Sequence, residues 1–157
     1  MTLKLINFSR KFITNEYLSW LNDKDLTKHS RLRLKKNTKK DAFKYLASMK
    51  NNFYFAVIYN KEHVGNVAAY IDWYNSCADL SIILKKQGFG YGLSSLKVLI
   101  KKLKQKKIRK ITCSTMIINK PMIKLCLNLN MKLEYIKKKQ LKFKYKFVDL
   151  VGYYKFL

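Results

Sequence analysis

Apolar and polar residues alternate with a period of two over residues 2–8 (Thr-Leu-Lys-Leu-Ile-Asn-Phe), which predicts a strand. The period then lengthens. Residues 15–22 place Tyr17, Leu18 and Leu21 on one face of a short helix. Thr38-Lys39-Lys40-Asp41 has the outline of a capping box with Asp in the Glu/Gln place. It predicts a second helix through about residue 49, with Ala42, Tyr45, Leu46 and Met49 as its apolar stripe. Residues 53–59, 64–72 and 77–84 return to strand patterning, with a turn at Asn60-Lys61-Glu62-His63, and predict an antiparallel meander. A glycine-bearing loop covers 85–92. A helix over 92–104 then turns Leu93, Leu96, Leu99, Ile100 and Leu103 inward and Lys97, Lys101, Lys102 and Lys104 outward. A β-branched strand over 108–114 follows, then a helix over 119–128 with Pro121 in its first turn, where the missing N–H costs nothing. Residues 131–138 and 142–156 predict two final strands. The order β-α-α-β-β-β-α-β-α-β-β predicts an α/β fold: one mixed sheet, antiparallel in its first half, with one parallel crossover.

Length and composition narrow this picture. At 157 residues the chain is expected to form one domain, 1–157, and 48% apolar with 14% aromatic residues supplies a core that excludes wholesale disorder. There is no linker-like stretch and no repeat. No uncharged run is long and apolar enough for a membrane helix, and the N-terminus lacks the apolar run of a signal peptide. A cytoplasmic protein is expected.

Charge is the extreme feature: 34 basic against 9 acidic residues, net +25. A polyanion binder is one explanation. The other is base composition. Only Arg10, Arg31, Arg33 and Arg109 are arginine, while Lys, Asn, Ile, Tyr and Phe, with A/T-rich codons, are abundant. Phosphate recognition favours the Arg fork over Lys, so base composition is the preferred cause, and nucleic acid is a disfavoured partner. Cys77, Cys113 and Cys126 are odd in number and form no C-x-x-C pair, which fits neither a disulfide framework nor a zinc site; no metal is expected.

The segment richest in chemistry is Gln87-Gly88-Phe89-Gly90-Tyr91-Gly92, between a predicted strand and a predicted helix. Glycines let a chain bend sharply and let a phosphate approach the backbone, and a helix N-terminus offers free N–H groups to an anion. The dinucleotide fingerprint needs glycine at 93, where Leu93 stands, and the P-loop Gly-Lys-Ser/Thr is absent.

Gln87-x-x-Gly90-x-Gly92 after a strand resembles the acetyl-CoA pyrophosphate loop of the GNAT acetyltransferases. Residues 119–134, from Asn119 through Leu125-Cys126 to Glu134, are similar to a second segment of that family, with Asn130 at its glycine and Met131 at its Phe. Tyr17-Leu18-Ser19-Trp20-Leu21-Asn22-Asp23, Val64-Gly65-Asn66 and Asp149-x-x-x-Tyr153 resemble the branch containing ribosomal-protein N-terminal and amino-sugar acetyltransferases. The resemblance runs from about residue 3 to 156 and implies a GNAT-like sheet with a splayed central strand pair.

It also implies roles. Residues 80–84, with Ile82, Ile83 and Leu84, would pair with the pantetheine arm of acetyl-CoA. The N–H groups of Gln87, Gly88, Phe89, Gly90, Tyr91 and Gly92 would hold its pyrophosphate, and Asn119 its pantetheine. A backbone N–H near Ile82 or Ile83 would polarise the thioester, and Asp79 would be the base for the amine. Cys126 stands on the cofactor where relatives often place an acidic tyrosine. A thiol is a weak donor, so Tyr91 or Tyr153 serves instead or the thiolate leaves unaided. For the acceptor, Trp20, Asp72, Trp73 and Tyr74 are the candidates, since aromatic faces suit a sugar or base and a carboxylate suits an ammonium or hydroxyl. Scarce acidic residues argue against a polycation. An anionic small-molecule amine, a nucleotide-linked amino sugar, ranks first and a protein N-terminal amine second, with a catalytically silent basic module on the same fold as the other class. No membrane partner is expected, and a homodimer is left open.

Overall fold

The computed structural model describes residues 3–86 and 88–157. Thr2 and Gln87, assigned above to the first strand and the loop, lie outside the described residues. Seven strands form one sheet in the order β1-β2-β3-β4-β5-β7-β6. β1 (Leu3–Asn7), β2 (Phe53–Tyr59), β3 (Glu62–Asp72) and β4 (Cys77–Leu84) are successively antiparallel. β5 (Lys110–Met116) runs parallel to β4, and β7 (Lys146–Phe156) and β6 (Lys132–Phe143) continue antiparallel from it. The helices are α1 (Asn15–Leu21), α2 (Lys24–Thr27), α3 (Lys39–Ser48), α4 (Tyr91–Gln105) and α5 (Lys120–Asn128). Among the described residues no helix is long and apolar enough to cross a membrane.

Strand side chains alternate between faces, so the sheet builds two cores. One packs Phe55, Val57, Val67, Ala69, Leu80 and Ile111 against Leu96, Leu99 and Leu103 of α4 and Cys126 of α5. The 96/99/103 spacing is the inward stripe of a helix. Burying each leucine stabilises the fold by roughly 1.5–3 kcal/mol. The other core packs Ala56 against Tyr17, Trp20 and Leu21 of α1 and Ala42 of α3. The predicted capping box is present: the Thr38 side chain accepts from the Asp41 N–H, and the Asp41 carboxylate accepts from the Thr38 N–H. Asn130, at the family's glycine, has φ of 57° and takes the left-handed position after α5.

A 3-10 turn at Arg10–Phe12 was not predicted, β3 begins at Glu62 inside the predicted turn, and two larger departures follow. Residues 24–34 hold α2 and a 3-10 turn at Arg31–Leu34, neither of them predicted. Both are held by local caps rather than an apolar stripe: Asp23 Oδ1 accepts from the N–H groups of Asp25 and Leu26, and Ser30 Oγ from Leu32 N–H. The last hairpin also turns later than expected, after Phe143 rather than after residue 138. The lysine-rich stretch taken for a turn is a bulge, with the register shifting between Lys137 and Leu141 and Lys139 at φ 46°. Asp149, across on β7, fixes it by accepting from Lys139 N–H at 2.8 Å and Lys138 Nζ at 3.0 Å.

Candidate active site

β4 is paired differently along its two edges. Against β3 the register is continuous from Cys77, opposite Asp72, to Leu84, opposite Gly65. Against β5 it covers only Cys77, Ala78 and Asp79, opposite Lys110, Ile111 and Thr112. From Leu80 and Cys113 onward the parallel strands diverge, while β5 stays zipped to β7 through Met116. One edge of residues 80–84 is therefore left with unpaired backbone groups facing a cleft of about 1780 Å³. Such an edge is a template for an extended, amide-bearing chain. The cleft lies at the carboxyl ends of parallel strands, where α/β sheets gather their ligands.

The turn after β4 closes one end of the cleft. Gly88 (φ 91°) and Gly90 (φ 76°) occupy left-handed conformations that other residues adopt only with strain. Gly92 is needed for space instead: a Cβ there would meet Leu84 Cδ1 at 3.3 Å and Leu125 Cδ2 at 3.4 Å. Gly90 is the N-cap of α4 with no capping side chain, and the first turn carries no acid. The leading N–H groups of a 15-residue helix and its positive dipole end thus sit at the cleft wall. Gly88, Phe89, Gly90, Tyr91 and Gly92 all line it, with Lys86, Lys120 and Lys124 nearby. Lys85, bonded to Glu16 and Glu62, fixes the start of the turn to α1 and β3. Ile82, Ile83 and Leu84 line the cleft along β4. Asn119 lines it too and caps α5, its Oδ1 accepting from Met122 N–H and its Nδ2 donating to Thr115 Oγ1 at 2.9 Å. That pair fastens α5 to the open stretch of β5.

Asp79 stands on the last paired rung before the strands part, where its carboxylate accepts from Thr112 Oγ1 at 2.8 Å. It is not among the residues lining the cleft itself. Desolvation by the surrounding sheet pushes its carboxyl above the usual range, and the Thr112 bond only partly opposes this. Cys113, the first β5 residue past the fork, lines the cleft, and Cys126 is fully buried behind it. The neighbouring Cys126 thiol, and then burial, drives the Cys113 thiol upward, while the neighbouring Cys113 thiol draws Cys126 downward. Cys126 therefore does not reach the cleft wall as expected. Tyr153, cross-strand from Cys113, is also buried, and burial raises its pKa; Tyr91 reaches the cleft.

The expected acceptor residues lie elsewhere. Trp20 is buried in the second core, 4.8 Å from the His63 ring among Phe8 and Tyr17. Asp72, Trp73 and Tyr74 sit at the β3–β4 turn, the opposite end of β4 from the cleft. Asp72 accepts from Asn75, Trp73 Nε1 donates to Asn51 O at 2.8 Å, and Tyr74 is 96% exposed. The wall of the cleft facing β4 is formed instead by residues from Asn22 through α2 and the 3-10 turn to Lys36, and by Phe143 and Lys144 at the β6–β7 turn. Sequence reasoning missed these residues. The caps Asp23 and Ser30 were the available signal for the first wall.

No family model matches the chain, and no curated protein matches it by sequence. Solved structures do. It is similar to RimL, the ribosomal L7/L12 α-N-protein acetyltransferase in complex with coenzyme A (TM-score 0.89, 15% identity, covering 100% of this chain and 95% of that one). It is similar to the spermidine N-acetyltransferase of Vibrio cholerae in complex with CoA and spermine (TM-score 0.87, 14% identity, 98% and 95% covered). The microcin C7 self-immunity acetyltransferase MccE, in complex with acetyl-CoA and AMP, matches with TM-score 0.85 and 18% identity over 99% and 92%. With its parted β4–β5 pair and glycine turn before α4, the chain has the fold of the GNAT acetyltransferases.

Proposed function

We propose that the protein is an N-acetyltransferase that moves an acetyl group from acetyl-CoA to a primary amine in a ternary complex. The observation that carries this reading is the loss of the β5 partner after Asp79, which leaves residues 80–84 open to the amides of a pantetheine arm. The turn at Gly88–Gly92 and the α4 N-terminus would take the diphosphate, and Asn119 would stand beside the arm. A backbone N–H near Ile82 or Ile83 would polarise the thioester carbonyl. The neutral amine attacks that carbon, its proton passes to Asp79 directly or through water, and the C–S bond breaks to release CoA thiolate. The raised pKa of Asp79 suits it to accept that proton. The thiolate, with an ordinary thiol pKa near ~8.5, would leave without a proton from the protein.

The acceptor we propose first is a nucleotide-linked amino sugar. Among the charged residues lining the cleft Asp25 is the one acid, and a polycation needs more than that to hold it. The likeness to MccE, captured with AMP, fits a nucleotide-bearing acceptor. A protein N-terminal amine is the second acceptor, favoured by the likeness to RimL.

The test is thermal: acetyl-CoA at millimolar concentration raises the melting temperature, and amines from a panel of amino sugars, nucleotide sugars and peptides release free thiol. The absence of a shift overturns the proposal. Nucleic-acid binding retained at moderate salt, without any shift, supports a basic binding module instead.

A further inference from the structure

Gly152, inside the Asp149-x-x-x-Tyr153 segment, has no part in the chemistry above, yet the chain has only five glycines. Space requires it: a Cβ there would meet Cε1 and Cζ of Tyr135 at 2.3 Å. Gly152 pairs with Tyr135 of β6 on one side and with Ser114 of β5 on the other. The Tyr135 ring therefore lies across β7 with its hydroxyl end toward Ser114, and Lys137 Nζ stands 5.2 Å from the ring centroid.

Ser114 shares a face of the sheet with Thr112, two residues earlier, whose hydroxyl is bonded to Asp79. On β4, Ser81 follows Asp79 by two residues and shares that face too. Asp79 and Thr112 form the last paired rung, so the two serines are the next residues of that face on either side of the opening. Both are exposed and both line the cleft. α4 and α5 pack on the opposite face, against Leu80 and Ile111. Other hydroxyls nearby are committed: Thr112 to Asp79, Tyr45 to Tyr70 and Tyr17 to Tyr54. Among the described residues Ser81 Oγ, Ser114 Oγ and the Tyr135 hydroxyl have no hydrogen-bond partner.

Resting on the acetyltransferase reading, we infer that Ser81, Ser114 and Tyr135 are acceptor-contacting residues that set specificity. They form a bay of free hydroxyls that holds a neutral polyhydroxyl ring, that of an amino sugar, with its amine at the fork beside Asp79. Each hydroxyl both donates and accepts, as sugar hydroxyls do. A site built on such bonds rejects an analogue without hydroxyls, because its own groups are then left unpaired.

The test uses the full chain with two amines, glucosamine 1-phosphate and cyclohexylamine, a ring of similar size that lacks hydroxyls. Wild type is expected to acetylate the first and to use the second at least about 100-fold less well in kcat/KM. Tyr135→Phe keeps the ring over Gly152 and removes one oxygen. It should raise KM about tenfold for glucosamine 1-phosphate and less than about twofold for cyclohexylamine, with the acetyl-CoA thermal shift unchanged. Ser114→Ala should act in the same direction. A ring that only fills the space over Gly152 would leave KM where it was. Unchanged KM, equal loss on both amines, or a smaller acetyl-CoA shift in Tyr135→Phe overturns the bay. So does a wild type that shifts with acetyl-CoA yet leaves glucosamine 1-phosphate unacetylated. A wild type without the shift overturns the acetyltransferase reading instead. The bay is then decided by glucosamine 1-phosphate binding: movement of the Tyr135 ring resonances, identified by their loss in Tyr135→Phe, upholds it, and still resonances overturn it.

Discussion

β4 has two unlike ends. At Cys77 it is paired on both sides, the chain enters it from a turn closed by Asp72 and Asn75, and the exposed Trp73 and Tyr74 lie there. At Leu84 it is paired on one side only, and no aromatic residue lies on its last five positions. The aromatic end draws attention in the sequence, but the bare end has the cleft. On the acetyltransferase reading, the difference teaches that binding capacity would come from backbone groups left without partners. Side-chain display is a poor guide to it.

Substitutions at the two ends sharpen that contrast. The largest effect is expected at the bare end. Gly90→Glu forces a left-handed φ on a residue with a Cβ and sets a carboxylate where a diphosphate would lie. Acetyl-CoA affinity should fall at least about 100-fold, read by calorimetry as loss of binding with the far-UV spectrum intact. Next is the fork. Asp79→Asn should lower kcat by roughly 10²–10⁴ while leaving the acetyl-CoA thermal shift in place.

The same residue gives two pH signatures. Its folded pKa is raised, so the wild-type rate should fall on acidification through a value above the ordinary carboxylate at about 3.9. Ionising a carboxyl whose folded pKa is raised costs stability, a cost absent below the unfolded pKa and complete above the folded one. Asp79→Asn should therefore melt higher than wild type at pH 7, and the gap should close as the pH drops to about 3.9. A gap that widens on acidification would contradict the assignment.

At the other end Trp73→Ala removes the bond to Asn51 and the edge contact to Phe53, an expected loss of about 1 kcal/mol in stability. Its kcat/KM should stay within about twofold of wild type. A large kinetic loss would return the acceptor to the Trp73 end. The smallest effect is expected at Asn130→Gly, which relieves a left-handed asparagine at φ 57°. A gain of no more than about 0.5 kcal/mol is expected by denaturant unfolding, because glycine's greater freedom in the unfolded chain offsets the relief.

Local rules were legible where the physics is local. The Thr38/Asp41 box, the 96/99/103 stripe of α4 and the glycine turn could each be read from neighbouring residues, and the structure shows all three; the left-handed Asn130 followed from the resemblance alone. The Lys137–Leu141 bulge was not legible, because Asp149 on another strand fixes it. Trp20 was misplaced because His63 of β3 and Phe8 after β1, which pack in its core, come from two other segments. The parting of β4 from β5 leaves no mark on periodicity. Only the resemblance at the glycine turn anticipated it.

The most direct measurement is residue-resolved hydrogen exchange of β4 with and without acetyl-CoA. The account predicts new protection at amides within residues 80–84 that point away from β3, with none gained at Cys77, Ala78 or Asp79, which already have strands on both sides. Binding that leaves 80–84 unprotected, or protects the Cys77 end instead, would contradict it.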